Sequence, residues 1–412
     1  MDGRNDSIRR ELETCLESQP VFDTHEHLPP FGNQWDARRD ILAEYLLHYI
    51  SNDLQAAGMT DAQLERVQDP DVPLTERWDE LEPWWERTRD TAYARALTTA
   101  TEKLYGIGEW TRGTIVPLNE RFRAAMEDPG HRMRVLRGLC NIRVSLLDFW
   151  QDGMGCDREF YRPVWQPNRF VMPGAGASLP ATLDAHLEEA EEMYRRNLRD
   201  GMAALKCALA YDRPIRFEAV PADEARAGYA AAAREGFAHG LPRPVQDHVF
   251  HYMLGLAERD GLPVQIHTGL QEGNRHHLPD SDPMLLEPLF GRYPGIPFDL
   301  FHIGYPWFRE SLVLAKTHPN VHLDMCWSHM IAPSAARIAL REFLEAVPVS
   351  KIFAFGGDYQ LVDGVLGHLT LARENVTAVL AGMVADHAMD FSRACRVLAM
   401  LFHDNAARVF GV

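Results

Sequence analysis

The chain has 412 residues, 46% apolar and 25% charged, an ordinary globular composition long enough for one large barrel with insertions or for two domains. Its 42 basic against 59 acidic side chains leave a formal charge of −17, which opposes phosphate backbones and anionic lipid surfaces and excludes nucleic acid and membranes as expected partners. Six scattered cysteines without CxxC spacing, no apolar leader and no apolar run of about 18 residues make the expectation a cytoplasmic protein with reduced thiols, acting on a small molecule.

In chain order, V-F-D-T-H-E-H-L from Val21 reads as a buried strand stopped by Pro29 and Pro30. Side chains alternate along a strand, so His25 and His27 share a face about 7 Å apart. From Ala37 to Ala125 helix formers and tryptophans dominate, with helical spacing of apolar residues in D-I-L-A-E-Y-L-L-H-Y-I and Y-A-R-A-L-T-T-A-T-E-K-L-Y-G-I. Residues 37–125 are therefore expected to form a helical insertion, with residues 1–36 and 126–412 forming the main body. Trp84 and Trp85 of E-P-W-W-E-R are expected to pack that insertion onto the body's rim.

From Asn141 onward short apolar runs alternate with amphipathic stretches. N-I-R-V-S-L-L-D, R-F-V-M-P, A-A-L-K-C-A-L, P-V-Q-I-H-T, F-D-L-F-H-I-G, N-V-H-L-D-M and K-I-F-A-F-G-G-D each fit a buried parallel strand, making eight with the first. Helix-like segments at Ala181 to Arg199, Pro283 to Arg292, Ser334 to Ala346 and Val362 to Val384 complete an α/β pattern, a (β/α)8 barrel with a helical insertion between strands 1 and 2.

Such barrels carry their chemistry at the C-terminal ends of the strands, and the polar residues fall there. His25 and His27 end the first strand, Lys206 lies within the fourth, and His267, His302 and Asp358 end the fifth, sixth and eighth. Neutral imidazoles with a carboxylate suit a divalent transition metal, zinc first and manganese as another choice, with a position left for water. One ion is expected, with a second as the alternative. Lys206 in an apolar strand must lose its proton, pair with an anion or be modified. Tyr211, Arg213 and Arg216 after strand four, Tyr305, Trp307 and Arg309 after strand six, and Trp327 and His329 after strand seven are candidate substrate contacts, the arginines as carboxylate clamps. No P-loop, G-x-G-x-x-G or G-x-S-x-G spacing occurs.

The H-x-H of His25-Glu26-His27, His267 in V-Q-I-H-T-G, His302 in L-F-H-I-G, Asp358 in G-G-D and the ending H-D-N-A-A-R-V-F-G together resemble the amidohydrolase superfamily. The stretch from Leu205 to about Leu380 is similar in particular to the amidohydrolase-like domain found fused to, or near, glutamine-synthetase-like proteins. The insertion looks instead like the uronate isomerase branch. The resemblance implies His25, His27, His267 and Asp358 as metal ligands, with Asp358 also shuttling a proton. It makes His302 a contact to water or substrate with one metal and a ligand with two, and Lys206 a bridging ligand if carboxylated. The expected activity is a metal-dependent hydrolase cutting a C–N or C–O bond of a small, carboxylated substrate. A uronate isomerase is the alternative, followed by a non-oxidative decarboxylase and a non-catalytic binding module. A homo-oligomer is compatible with all of these.

Overall fold

The computed structural model describes residues 2–32, 35–149, 155–274 and 276–412. Eight parallel strands follow one another in sequence order: β1 (Val21–Glu26), β2 (Ile142–Phe149), β3 (Tyr161–Trp165), β4 (Ala204–Cys207), β5 (Val264–Ile266), β6 (Phe298–Leu300), β7 (Val321–Asp324) and β8 (Ile352–Phe353). The ring is drawn shut by backbone hydrogen bonds between the first and last strands, Thr24 N to Phe355 O at 3.2 Å and Asp358 N to His25 O at 2.7 Å. This is the expected (β/α)8 barrel.

The third strand is not where its texture placed it. R-F-V-M folds into a short helix, Asn168–Val171, and the strand is Tyr161–Trp165, Y-R-P-V-W. Pro163 disguised it, because proline cannot donate to a ladder. Here only its carbonyl is used, accepting from Ala203 N at 2.8 Å.

The barrel's lower end is filled by Phe22, Leu146, Val164, Ala204 and Phe353, and plugged by Phe410 of the last helix, Asn405–Phe410, whose ring lies 6.0 Å from Phe22 and 5.9 Å from Phe353. Above this floor Gln265 Nε2 bridges the Thr24 carbonyl (2.9 Å) and Asp299 Oδ2 (3.0 Å).

Between β1 and β2 the chain is helical from Ile41 to Leu139, further than the expected end at Ala125. Local signals explain the pieces. Thr60 and Gln63 form a reciprocal capping box, and Ala92–Tyr105 is capped by Thr91 and stopped by Gly106 in the left-handed region. Trp85 stacks on Trp110 at 4.7 Å inside the insertion, so the tryptophan cluster consolidates the insertion and not the barrel rim. Docking onto the barrel runs through the helix Val362–Ala385, where a Cβ on Gly367 would meet Ala96 O at 2.1 Å, so only glycine permits that approach.

One buried carboxylate ties the insertion down. Asp363 accepts from Tyr45 Oη at 2.7 Å, from Tyr105 Oη, and from His131 Nε2 at 2.6 Å, three residues spread across the insertion. No described helix is long and apolar enough to cross a membrane.

Replacing Asp363 by alanine strands three buried donors, and we expect a loss of roughly 3 kcal/mol, read from the urea unfolding midpoint. A loss below about 1 kcal/mol would show that the hub is dispensable.

Candidate functional site

The strand ends open into a cavity of about 250 Å3. Its wall includes His25 and His27 from the end of β1, Asp148 from β2, Lys206 from β4, His267 after β5 and Asp358 after β8. All but His27 are more than nine-tenths buried. The short loops hold unusual backbone, with His302 (φ 58), Trp327 (φ 61) and Asp358 (φ 52) all left-handed without being glycine. Such conformations persist only where the surroundings over-determine them, and they concentrate at functional sites.

The imidazoles meet through nitrogens that cannot bond to one another. His267 Nε2 donates to the Leu270 carbonyl at 3.1 Å and His302 Nδ1 to the Cys326 carbonyl at 2.8 Å. A neutral ring has one N–H, so the other nitrogen of each is a lone pair. Those two, His267 Nδ1 and His302 Nε2, face each other at 3.2 Å. Burial keeps both rings neutral, with His302 pushed down to about 4 and His267 well below the usual value. Two opposed lone pairs repel unless positive charge lies beside them.

His25 Nε2 and His27 Nε2 also meet, at 3.2 Å. His25 is driven far down by burial, with Lys206 adding to it. For His27 burial works in the same direction, yet its hydrogen bond to Asp358 and the charge of Asp148 outweigh it and raise the ring. Asp358 sits between the two pairs, Oδ1 at 3.1 Å from His27 Nε2 and 3.6 Å from His25 Nε2, Oδ2 at 3.8 Å from His302 Nε2. Burial opposes its charge, but the His27 hydrogen bond and the surrounding histidines hold it well below the usual carboxylate range.

The donor set fits a divalent transition metal. It combines histidine nitrogens with carboxylate oxygens, and among the described residues the buried His25 Nδ1 and Asp148 Oδ1 have no hydrogen-bond partner. Lys206 Nζ lies 3.2 Å from the centre of the Phe301 ring, its basicity lowered by burial against the pull of Asp358 and Asp148.

Of the expected substrate contacts, Tyr211 lines the cavity, its ring 4.7 Å from that of His267. The others are placed elsewhere. Arg213 is buried against Asp247 at 2.5 Å, and Arg216 and Arg309 are exposed and pair with Glu218 (2.5 Å) and Glu342 (2.8 Å). These arginines follow the strands in sequence, but acids on neighbouring loops and helices claim their guanidinium groups first. Tyr305 and Trp307 are half-buried off the cavity wall. The left-handed turn at Trp327 leads into a short helix, Ser328–Ile331, that carries His329 behind the barrel onto the Ala354 carbonyl (3.0 Å). Trp327 itself stands behind the wall, 4.7 Å from His48 and 5.1 Å from Tyr49.

Those two residues were missed by sequence reasoning. They come from the insertion, where L-L-H-Y carries no signal to separate it from a packed helix. His48 Nε2 lies 3.7 Å from Glu272 on the loop after β5, and the buried Tyr49 hydroxyl on the cavity wall meets that of Tyr211. Asp148 did carry a signal, since it ends a recognised strand just as Asp358 follows one. Gln166, which donates to Asp148 Oδ2, was hidden by the misplaced third strand.

A family model described as amidohydrolase matches residues 166–412. Protein fluG of Emericella nidulans is 35% identical over 116 residues, 27% of this chain and 13% of that protein, so the match spans a small part of the relative's length. The glucuronate isomerase of Caulobacter crescentus superposes with a TM-score of 0.77 at 18% identity, covering 100% of this chain and 95% of that one. A Lactobacillus casei protein, provisionally described as a metal-dependent hydrolase, gives 0.69 at 16% identity, covering 97% of each chain. At these identities the structural likeness establishes the fold.

Binding stabilises whatever state holds the ligand, so adding zinc to chelator-treated protein is expected to raise its thermal midpoint, and His25→Ala to abolish the rise. An unchanged midpoint in the wild type would contradict the donor-set reading.

Proposed function

The chain belongs to the amidohydrolase family, and from that premise we propose that it is a metal-dependent hydrolase that cleaves a C–N or C–O bond of a small substrate. The observation that carries the reading is the convergence of histidine nitrogens, with His25 and His302 held neutral by burial, around the two oxygens of Asp358. His25, His27 and Asp358 would hold the cation, and His267 and His302 would face a second one. When bound, a divalent ion supplies Lewis acidity, polarising an oxygen of the substrate and making water more acidic.

The chain's own groups supply the rest. Asp358 is ionised and reaches both halves of the site, so it can take a proton from water and return it to a leaving group. His302, fixed by the Cys326 carbonyl, keeps an acceptor nitrogen turned toward the same space. The Tyr49 hydroxyl, which meets that of Tyr211 on the cavity wall, can turn to a polar substrate group, and the insertion limits access of bulk water.

A uronate isomerase is the second reading, favoured by the helical insertion that brings His48 and Tyr49 over the cavity. Against it, the three arginines expected to clamp a carboxylate are engaged by Asp247, Glu218 and Glu342. Lys206 remains as the cationic side chain on the wall among the described residues.

An NMR screen of hexuronates, acid-sugar lactones and N-acyl amino acids separates the two. A released acid or amine supports hydrolysis, and a ketose formed from a hexuronate overturns it in favour of isomerisation. Asp358→Asn is expected to lower turnover by roughly 10²–10⁴-fold while the chain stays folded by circular dichroism, as loss of a proton shuttle does. Near-wild-type turnover in that variant would remove Asp358 from the chemistry.

A further inference from the structure

His25 Nε2 has three potential ligand atoms around it at nearly equal range: His27 Nε2 at 3.2 Å, Asp358 Oδ1 at 3.6 Å and Asp148 Oδ2 at 3.7 Å. His27 Nε2 and Asp358 Oδ1 are themselves 3.1 Å apart. Ligands bound tetrahedrally at about 2.0–2.2 Å from zinc stand about 3.3–3.6 Å from each other, close to these four separations, and one ligand atom each of His25, His27 and Asp148 also lie within 4.8 Å of one another. Asp148 belongs to the cradle by position as well. The register of the first two strands sets Glu26 opposite Leu147, which puts Asp148 at the level of the two histidines.

Two further observations point the same way. Asp148 is 3% exposed; Gln166 donates to Oδ2, the oxygen nearest His25, while Oδ1 has no hydrogen-bond partner among the described residues. A buried carboxylate oxygen without a donor is costly unless something positive reaches it. The histidine after β5 stands beside His302, outside the group formed by His25, His27 and Asp148. Its Nε2 donates to the Leu270 carbonyl, and its Nδ1 lone pair faces His302 Nε2.

We propose that Asp148 is a direct ligand to the cation held by His25, His27 and Asp358, so that two carboxylates close this half of the site. The assignment rests on the metal-dependent reading above. It has a chemical consequence for Lys206. Two carboxylates balance the charge of this one ion, so its binding calls for no carbamate on Lys206, whose Nζ lies over Phe301.

The test measures metal, not turnover. Wild-type protein, Asp148→Asn and Asp358→Asn are stripped with chelator, checked for folding by circular dichroism, and titrated with zinc against a chromogenic chelator. Asp148→Asn is expected to weaken zinc binding by at least roughly tenfold, in line with Asp358→Asn. Equal affinity in wild type and Asp148→Asn, with the Asp358→Asn control weakened, overturns the assignment and leaves the metal-dependent reading standing. A wild type that takes up no zinc removes both. Should Asp148→Asn fail to fold, a zinc-soaked crystal of the wild type decides. An Asp148 oxygen within about 2.2 Å of the anomalous peak supports the proposal, and one beyond about 3 Å overturns it.

Discussion

Everything at the site depends on how the last strand is laid against the first. The Gly357 amide donates to Asp23 Oδ1 at 2.8 Å, the Asp358 amide to the His25 carbonyl at 2.7 Å and the Tyr359 amide to Glu26 Oε2 at 3.1 Å. Glycine at residue 357 leaves the Glu26 carboxylate its place in the seam, since a Cβ there would lie 1.6 Å from Glu26 Oε1. Left-handed backbone at Asp358 costs about 1–3 kcal/mol, and this row of hydrogen bonds offsets it. The result is a carboxylate held, before any ligand arrives, against two imidazoles some 330 residues earlier in the chain. Glu26, the middle residue of H-x-H, thus has a structural role as the acceptor that fixes the turn.

The insertion is a working part of this arrangement. Trp327 at the end of β7 touches His48, Tyr49 and Tyr93 from the insertion and Tyr359 from the seam, so one aromatic wall spans both. Asp363, five residues beyond Asp358, holds Tyr45, Tyr105 and His131. The stretch that supplies the central carboxylate therefore also anchors the roof, and the two are positioned together.

Much of this was readable from residue order. Period-two alternation and strand-end position singled out His25, His27, Lys206, His267 and Asp358, and the structure brings all five to one cavity wall. The failures share a cause. Arg213, Arg216, Arg309 and His329 also follow strands, but a side chain beyond a strand end is free to turn, and acids or carbonyls on other elements decided where each went. Nothing local announces Asp247 as Arg213's partner, or a left-handed turn at Trp327, a residue that usually avoids that region. His48 lay in a helical texture whose docking onto the barrel is a matter of tertiary packing alone.

The roofed cavity also bounds what the protein can process. A volume of about 250 Å3 equals the liquid share of roughly eight water molecules, enough for a metabolite-sized compound.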